Sequence, residues 1–326
     1  MRQQVQDLRD GLLSGARSLF SLTGLRGVAV ECAWMAAHVA LYPLGVAEER
    51  VREVQRLSVH NLSPTQRGLL VGNIEAAGTP ILLVHGMVDN RSIFTVLRRG
   101  LRRRGFGRVL TANYSPFIGD IPTAVMALSQ QVELICAETG YERIHVVGHS
   151  MGGVIARYYI QSLGGDERIH TLVTLGSPHA GTAPARLVPH TLLRQLRPGS
   201  DVITALAQPA IGCRTRFVAF WSDLDQMIIP RSAARIEHPD LRARNVRVRG
   251  IGHMSLPIDG GVVHEIGATL AHLDEAGLTV TEGVTPLPRG EEAAAIRKAR
   301  RAPAAARVGQ LRADHAPPHA PAAGSE

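Results

Sequence analysis

A serine flanked by glycines is the first residue in this sequence that could carry chemistry. Ser150 lies within the pentapeptide GHSMG of residues 148–152, which follows the β-branched run 144–147 and precedes a helix-forming segment. Glycines two residues before and after the serine allow a sharp turn, because side chains there would collide with neighbouring backbone. The setting of strand, turn and helix therefore predicts that Ser150 is presented as a nucleophile, which the pentapeptide alone would not.

A serine hydroxyl needs a base beside it and a carboxylate behind that base to become a good nucleophile. His253 follows the last predicted strand and precedes the last helix, where a loop could present an imidazole; His264, inside that helix, is the alternative. The preceding strand ends near two carboxylates, Asp223 and Asp225. Asp225 is the preferred acid, because the apolar residues that follow would hold its loop in place. Asp223 stays open, since a surface aspartate and an orienting one look alike in sequence.

Acyl transfer through a tetrahedral intermediate also needs N–H donors for the oxygen that becomes negative. The backbone N–H of Met151, directly after the serine, is one candidate donor. The backbone N–H of Met87 is the second, because Met87 follows a buried apolar run and the turn His85-Gly86. His85 is expected to brace this turn rather than to act as a base.

Composition argues against several other classes of function. The chain has 326 residues, a formal net charge of +8 and 36 basic residues, of which Lys298 is the one lysine. Because these basic residues are scattered or lie in the tail, without interleaved aromatic residues, no nucleic acid partner is expected. Cys32, Cys136 and Cys213 include no CxxC pair, so neither a disulfide framework nor a zinc site is predicted.

Short apolar runs alternate with helical segments from about residue 68 onward, which predicts an α/β fold with a mostly parallel sheet covered by helices. The predicted strands are residues 81–84, 109–112, 144–147, 172–175, 216–220 and 246–248. The predicted helices are residues 92–103, 121–138, 153–163, 201–207 and 261–276.

The chain divides into three regions by composition. Residues 1–60 are predicted to be helical, residues 61–280 to form the catalytic domain, and residues 281–326, rich in Ala, Pro and Arg, to be disordered. Residues 28–47 are almost entirely apolar and could be a helix packed on the domain, a peripheral membrane anchor or a membrane span. Glu31 disfavours a span, because a carboxylate is costly in hydrocarbon.

The start of the chain does not favour a normal secretory signal. Asp7 and Asp10 precede the apolar run, whereas a signal peptide has a short basic start. The expected location is therefore the cytoplasm or a membrane surface, with the choice left open.

Three segments together resemble a known family. They are the GHSMG turn, the His85-Gly86 turn and the sequence TLGSPHAGT of residues 174–182. They resemble the bacterial lipase and esterase family of the α/β-hydrolase superfamily over roughly residues 78–275, and Asp225 with its Asp-x-x-Ile-x-Pro continuation resembles a lipase acid loop. The resemblance implies an α/β-hydrolase fold with helices on both faces of the sheet. It also implies a carboxylester hydrolase that cleaves lipid or acyl esters through a Ser-His-Asp triad and an acyl-enzyme, without a cofactor.

Several points stay open within this resemblance. An acyltransferase that remodels a lipid could use the same triad, and a ligand-binding protein could share the scaffold. Residues 183–212 leave room for a short flap rather than a cap domain, and the leucines of this flap could form a lid or cover the core. His179 is expected to be structural. The arginines of residues 98–104 could be a solvated helix face or a cationic patch for an anionic lipid surface.

Overall fold

A computed structural model describes residues 74–86, 91–112, 118–187 and 189–271. Regions 1–60 and 281–326, the apolar stretch 28–47 and Met87 lie outside the described residues. In the part of the chain that is described, no helix is long and apolar enough to cross a membrane.

Six parallel strands form one sheet in the described residues. They are β1 Ile81–Val84, β2 Val109–Thr111, β3 Ile144–His149, β4 Ile169–Leu175, β5 Arg216–Ser222 and β6 Arg242–Val248. The order across the sheet is β2-β1-β3-β4-β5-β6. The predicted parallel sheet is therefore confirmed. The strand β6 begins at Arg242 rather than at the predicted residue 246. Its first half is polar, so the sequence has no apolar run there that would predict the earlier start.

Helices connect and cover these strands. They are α1 Ile74–Gly78, α2 Thr95–Arg103, α3 Ile121–Thr139, α4 Met151–Ser162, α5 Thr191–Gln195, α6 Asp201–Ala205 and α7 Gly260–Ala271. The longest, α3, begins where the Asp120 carboxylate accepts a hydrogen bond from the Thr123 N–H at 2.7 Å, and it ends at Gly140, whose φ is 78°. A capping aspartate and a left-handed glycine are the usual start and end signals of a helix.

Two hydrophobic cores lie on the two faces of the sheet. Val146 of β3 belongs to the core that includes apolar residues of α3 and α4, whereas Val147 belongs to the core that includes residues of α2 and α7. Successive side chains of a strand point to opposite faces, so a strand buried on both faces reads as a continuous apolar run. This arrangement confirms the expected helices on both sides.

The helix α2 buries Leu97 and Leu101 and leaves Arg99 and Arg103 exposed, which both the solvated-face and the cationic-patch interpretations require. The flap after β4, residues 183–212, also packs leucines into the core. Its leucines Leu192 and Leu196 are buried, whereas Leu187 is 84% exposed. The flap therefore covers the core with most of its described apolar residues.

Candidate active site

Ser150 stands in the turn between β3 and α4. Its φ is 54° and its ψ is −126°, and within the described ranges it is the one residue other than glycine with a positive φ. Such a conformation costs free energy and persists only where the surrounding structure holds it, which is typical of functional sites. Here the Ser150 N–H donates a hydrogen bond to the carbonyl of Leu175 at 2.9 Å, so the end of β4 helps to hold the turn.

The glycines around Ser150 are required by close approaches of backbone. A Cβ on Gly148 would lie 2.5 Å from the Cα of Gly153, and a Cβ on Gly152 would collide with the carbonyl oxygen of Val84. The predicted steric reason for this glycine spacing is therefore confirmed. The next glycine, Gly153, packs in the same way against the side chain of Ser177.

His253 and Asp225 meet in the interior of the protein. The His253 Nδ1 lies 2.8 Å from the Asp225 Oδ2, and each side chain is 1% exposed. The other carboxylate oxygen, Oδ1, accepts hydrogen bonds from the N–H groups of Met227 and Ile228 at 2.9 and 3.0 Å. An ionised carboxylate can only accept a hydrogen bond, so the Nδ1 of His253 carries the proton. The Nε2 of the neutral imidazole can then accept a proton.

The alternative residues have other contacts. Asp223 bonds to Arg247 at 3.0 Å and accepts a hydrogen bond from the Gly250 N–H at 2.9 Å, so it supports the loop that leads to His253. His264 on α7 bonds to the guanidinium of Arg104 at 3.0 Å. The structure thus brings together Asp225 and His253 and gives Asp223 and His264 different partners.

Gly176 is a residue of this site that sequence reasoning missed. Its φ is 57°, and a Cβ there would lie 2.9 Å from the Asp225 Oδ2 and 3.0 Å from the His253 Nδ1. The acid and the histidine therefore pack directly over the backbone that leaves β4. Gly176 lies in the TLGSPHAGT segment that carries the resemblance, and its position directly after a buried strand was the available signal.

His149 also contacts the candidate histidine and was missed by sequence reasoning. Its Nε2 donates a hydrogen bond to the backbone carbonyl of His253 at 3.1 Å, and the two ring centroids are 4.9 Å apart at 45°. His149 occupies the variable position of the pentapeptide, so no rule of spacing marks it. Its contacts tie the turn of Ser150 to the loop of His253.

Thr182 joins the flap to the loop of the acid. Its hydroxyl donates to the Met227 carbonyl at 2.8 Å and accepts from the Ile229 N–H at 3.0 Å. The Ala183 N–H, where the flap begins, donates to the Ile229 carbonyl at 2.8 Å. The position of the flap is therefore linked by hydrogen bonds to the residues that follow Asp225.

Of the two candidate oxyanion donors, Met151 lies within the described residues and Met87 does not. Met151 is the first residue of α4, a helix of 12 residues, and N–H groups at the start of a helix lack partners within that helix. His85, close to Met87 in the chain, is buried, and its Nδ1 lies 2.9 Å from the Gly86 carbonyl, as expected for a residue that braces the turn.

His179 has the structural surroundings that the sequence predicted. It is buried, and its Nε2 lies 3.0 Å from the hydroxyl of Thr174. Burial, followed by the positive charge of Arg157, lowers the pKa of His179 well below its usual range. This histidine is therefore neutral at physiological pH.

Comparisons of sequence relate the chain to lipases and thioesterases. Residues 80–228 match the family model of palmitoyl protein thioesterase. Triacylglycerol lipases of Pseudarthrobacter phenanthrenivorans and Burkholderia plantarii are each 28% identical over 121 residues, which is 35% of this chain and 37% and 33% of theirs. A human serine hydrolase-like protein is 27% identical over 108 residues, 31% of this chain and 51% of that protein. The match thus spans about a third of each triacylglycerol lipase.

Solved structures relate the fold to lipases. The mature form of a Bacillus licheniformis lipase aligns with a TM-score of 0.51 at 16% identity, covering 60% of this chain and 92% of that one. Its propeptide form aligns with a TM-score of 0.52 at 15% identity, covering 66% and 52%. These likenesses establish the fold, and the sequence matches agree with it. The chain therefore has the α/β-hydrolase fold, and its sequence is similar to those of lipases and thioesterases.

Proposed function

We propose that this protein is a serine carboxylester hydrolase in which Ser150 is the nucleophile, His253 the base and Asp225 the residue that orients the base. The observation that carries the proposal is the contact of 2.8 Å between the buried Asp225 and His253. The strained turn of Ser150 supports it, because strain at a serine between a strand and a helix is characteristic of an exposed nucleophile.

The proposed reaction has two steps. His253 accepts the hydroxyl proton as the Ser150 oxygen attacks the ester carbonyl, and it then gives that proton to the departing alcohol. Water, deprotonated by the same histidine, then attacks the acyl-Ser150 ester, and His253 returns that proton to the Ser150 oxygen as the acid departs. In both steps the N–H groups of Met151 and Met87 would stabilise the negative oxygen, and Asp225 would stabilise the positive imidazole.

Ser150→Ala should abolish hydrolysis of p-nitrophenyl esters of graded chain length, by about 10⁴-fold or more in kcat. Ser232→Ala is the matched control, because Ser232 is an exposed serine of the same chain. Retained activity in Ser150→Ala would remove Ser150 from the mechanism. The dependence on chain length would report the acyl group that the pocket prefers.

A second candidate substrate is an acyl thioester. It is favoured by the match of residues 80–228 to the palmitoyl protein thioesterase family. A triad of this kind can cleave both bonds, so we propose to compare oxygen and sulfur esters of one acyl chain on one acceptor. Faster turnover of the thioester by at least about tenfold, or about 1.4 kcal/mol of barrier, would favour that substrate class.

Two further experiments separate the remaining alternatives. Product analysis with added alcohols would reveal an acyltransferase, because a new ester would form faster than free acid. A fluorophosphonate probe should label the folded protein at Ser150. A folded protein that stays unlabelled would instead favour a ligand-binding protein on the hydrolase scaffold.

We also propose peripheral membrane contact through residues 28–47, because this stretch is apolar and long. The test is cosedimentation of the full chain with lipid vesicles, compared with a full-length variant carrying Trp34→Asp and Leu41→Asp. Equal binding by the two proteins would count against this contact.

A further inference from the structure

Four arginines gather at the edge of the sheet opposite Ser150, and we call them the amino-edge cluster: Arg143, Arg214, Arg216 and Arg242. Each lies at or just before the start of a strand, β3, β5 or β6. Parallel strands begin along one edge and end along the other. The cluster is therefore separated by the length of the strands from the turn that holds Ser150.

Strand register brings two of these positive charges side by side. Arg216 of β5 pairs directly with Arg242 of β6, and Thr171 of β4 pairs with Arg216. Directly paired residues project from the same face, and like charges in such pairs destabilise a sheet. The register therefore places two arginines side by side at this edge of the sheet.

Backbone carbonyls hold the guanidinium groups of Arg143 and Arg242. Arg143 donates to the carbonyls of Asp166 and Ile169 at 3.2 and 2.8 Å, at the turn before β4. Arg242 donates to the carbonyl of Arg214 at 2.9 Å. Carbonyl oxygens accept hydrogen bonds but carry no formal charge, so these contacts position the guanidinium groups without neutralising them.

The carboxylate beside the cluster offsets its charge weakly. The Asp166 Oδ2 lies 4.0 Å from the Arg214 Nε, at the limit of an ion pair, and the Arg214 side chain is 59% exposed. Exposed ion pairs at such distances contribute little to stability. Among the described residues, Arg143, Arg214 and Arg242 therefore keep most of their positive charge.

Two buried histidines lie near the amino-edge cluster, and its positive charges disfavour their protonation. The rings of His145 and His170 are 5.4 Å apart, and both residues are buried. Burial, followed by the charges of Arg143, Arg242 and Arg216, lowers the pKa of His170 to about 4. Both ring nitrogens of His145 are buried without a hydrogen-bond partner among the described residues. This edge therefore combines a positive field with unsatisfied polar groups.

We propose that the amino-edge cluster binds a phosphate group. Guanidinium groups are planar forks that bind two oxygens of a phosphate at once, and several held at one edge can surround its charge. The group could belong to free phosphate, to a small phosphorylated metabolite or to an anionic lipid headgroup. This site is separate from Ser150 and does not depend on the proposed ester hydrolysis.

The first test measures thermal unfolding of the full-length protein in inorganic phosphate and in sodium chloride of equal ionic strength. Phosphate should raise the Tm saturably, and the double variant Arg214→Gln, Arg242→Gln should weaken phosphate binding at least about tenfold. The matched control is Arg186→Gln, Arg194→Gln, which removes two exposed arginines of the flap. Equal effects of phosphate and chloride on the wild type would overturn the proposal.

A second variant keeps the test decisive if the double variant unfolds. Arg242→Lys retains the charge but loses the planar fork, so it should fold and bind phosphate more weakly than wild type. Isothermal titration with phosphate on the folded proteins gives the affinity directly. Wild-type affinity in Arg242→Lys and in the double variant would remove the cluster from any phosphate binding observed.

The third test identifies the source of the phosphate group. Vesicles of phosphatidylcholine with and without phosphatidylglycerol are compared, with inorganic phosphate as competitor. A lipid headgroup is supported if the wild type binds the anionic vesicles, phosphate displaces it from them, and the double variant does not bind. Phosphate binding without vesicle binding supports a soluble ligand, and absence of both overturns the proposal. Ester hydrolysis should be equal in wild type and double variant, so the two proposals can fail separately.

Discussion

At the carboxyl edge of the sheet, Asp225 faces His253 at 2.8 Å and takes two backbone N–H groups with its other oxygen. At the amino edge, Arg216 lies opposite Arg242, and the nearby carboxylate is 4.0 Å from Arg214. The first arrangement is complete within the chain, so it fixes geometry. The second holds guanidinium groups on neutral carbonyls, which is why we propose a ligand there. The two proposed sites at opposite edges of one sheet thus differ in character.

The difference also separates two uses of a buried histidine. His253 has a carboxylate partner, which would stabilise the positive imidazole formed in the reaction we propose. For His170, burial and then the nearby positive arginines disfavour protonation. The two buried histidines therefore differ in the sign of the nearest charge.

Asp225→Asn should have the largest effect among changes to the acid and its surroundings. An amide cannot stabilise the imidazolium and favours the wrong tautomer of His253, so kcat should fall by about 10⁴-fold. The control is Asp223→Asn, whose amide oxygen can still accept from the Gly250 N–H. That variant should lose less than about tenfold in kcat on the same ester. A larger loss with Asp223→Asn than with Asp225→Asn would exchange the two assignments.

Gly176→Ala should lower kcat by about 100-fold, because its Cβ would push apart the acid and the histidine. Gly140→Ala is a matched control, since its φ is 78° but a Cβ there would have no atom within 4 Å. In both variants the free energy of unfolding should be about 1 kcal/mol or more below that of the wild type, because alanine is strained at a positive φ. Equal kcat in the two variants would show that Gly176 matters for backbone conformation alone.

Stability should fall with acid because of His170. Its folded pKa of about 4 lies below the ordinary value of 6.5, so the unfolded chain binds a proton that the native protein excludes. The contribution of His170 to the free energy of unfolding is complete above pH 6.5. It is lost as the pH falls toward 4, at about 1.4 kcal/mol per pH unit.

Urea unfolding at a series of pH values would measure this slope. His170→Gln should flatten it, whereas the exposed His190→Gln should leave it unchanged. An unaltered slope in His170→Gln would show that the arginines do not act on this histidine as proposed.

His149→Phe should have the smallest effect, a fall in kcat of about tenfold or less with KM unchanged. Phenylalanine keeps the ring contact with His253 but loses the hydrogen bond to its carbonyl. His149→Gln, which can donate to that carbonyl, should restore part of the rate. A change in KM alone would instead assign His149 to substrate binding.

The sequence was informative where a local pattern has one steric explanation. The glycines around Ser150 and the apolar strands are of this kind, and the loop order correctly placed Asp225 near His253. Gly176 and His149 depend on contacts between loops far apart in the chain, which no spacing reports. The early start of β6 was missed because arginines are atypical of a buried parallel strand.

The arginines of β6 have a consequence for the protein in concentrated solution. Arg242, Arg244 and Arg247 lie on a strand at one end of the described sheet. The backbone of an end strand can pair with the same strand of another molecule, and charged side chains there discourage such pairing. Arg244 and Arg247 are paired with Glu265 and Asp223, so two copies that met along β6 would bring these ion pairs and Arg242 together. The strand that helps to form the proposed anion site would thereby also limit aggregation, least effectively where bound anions cancel its charge.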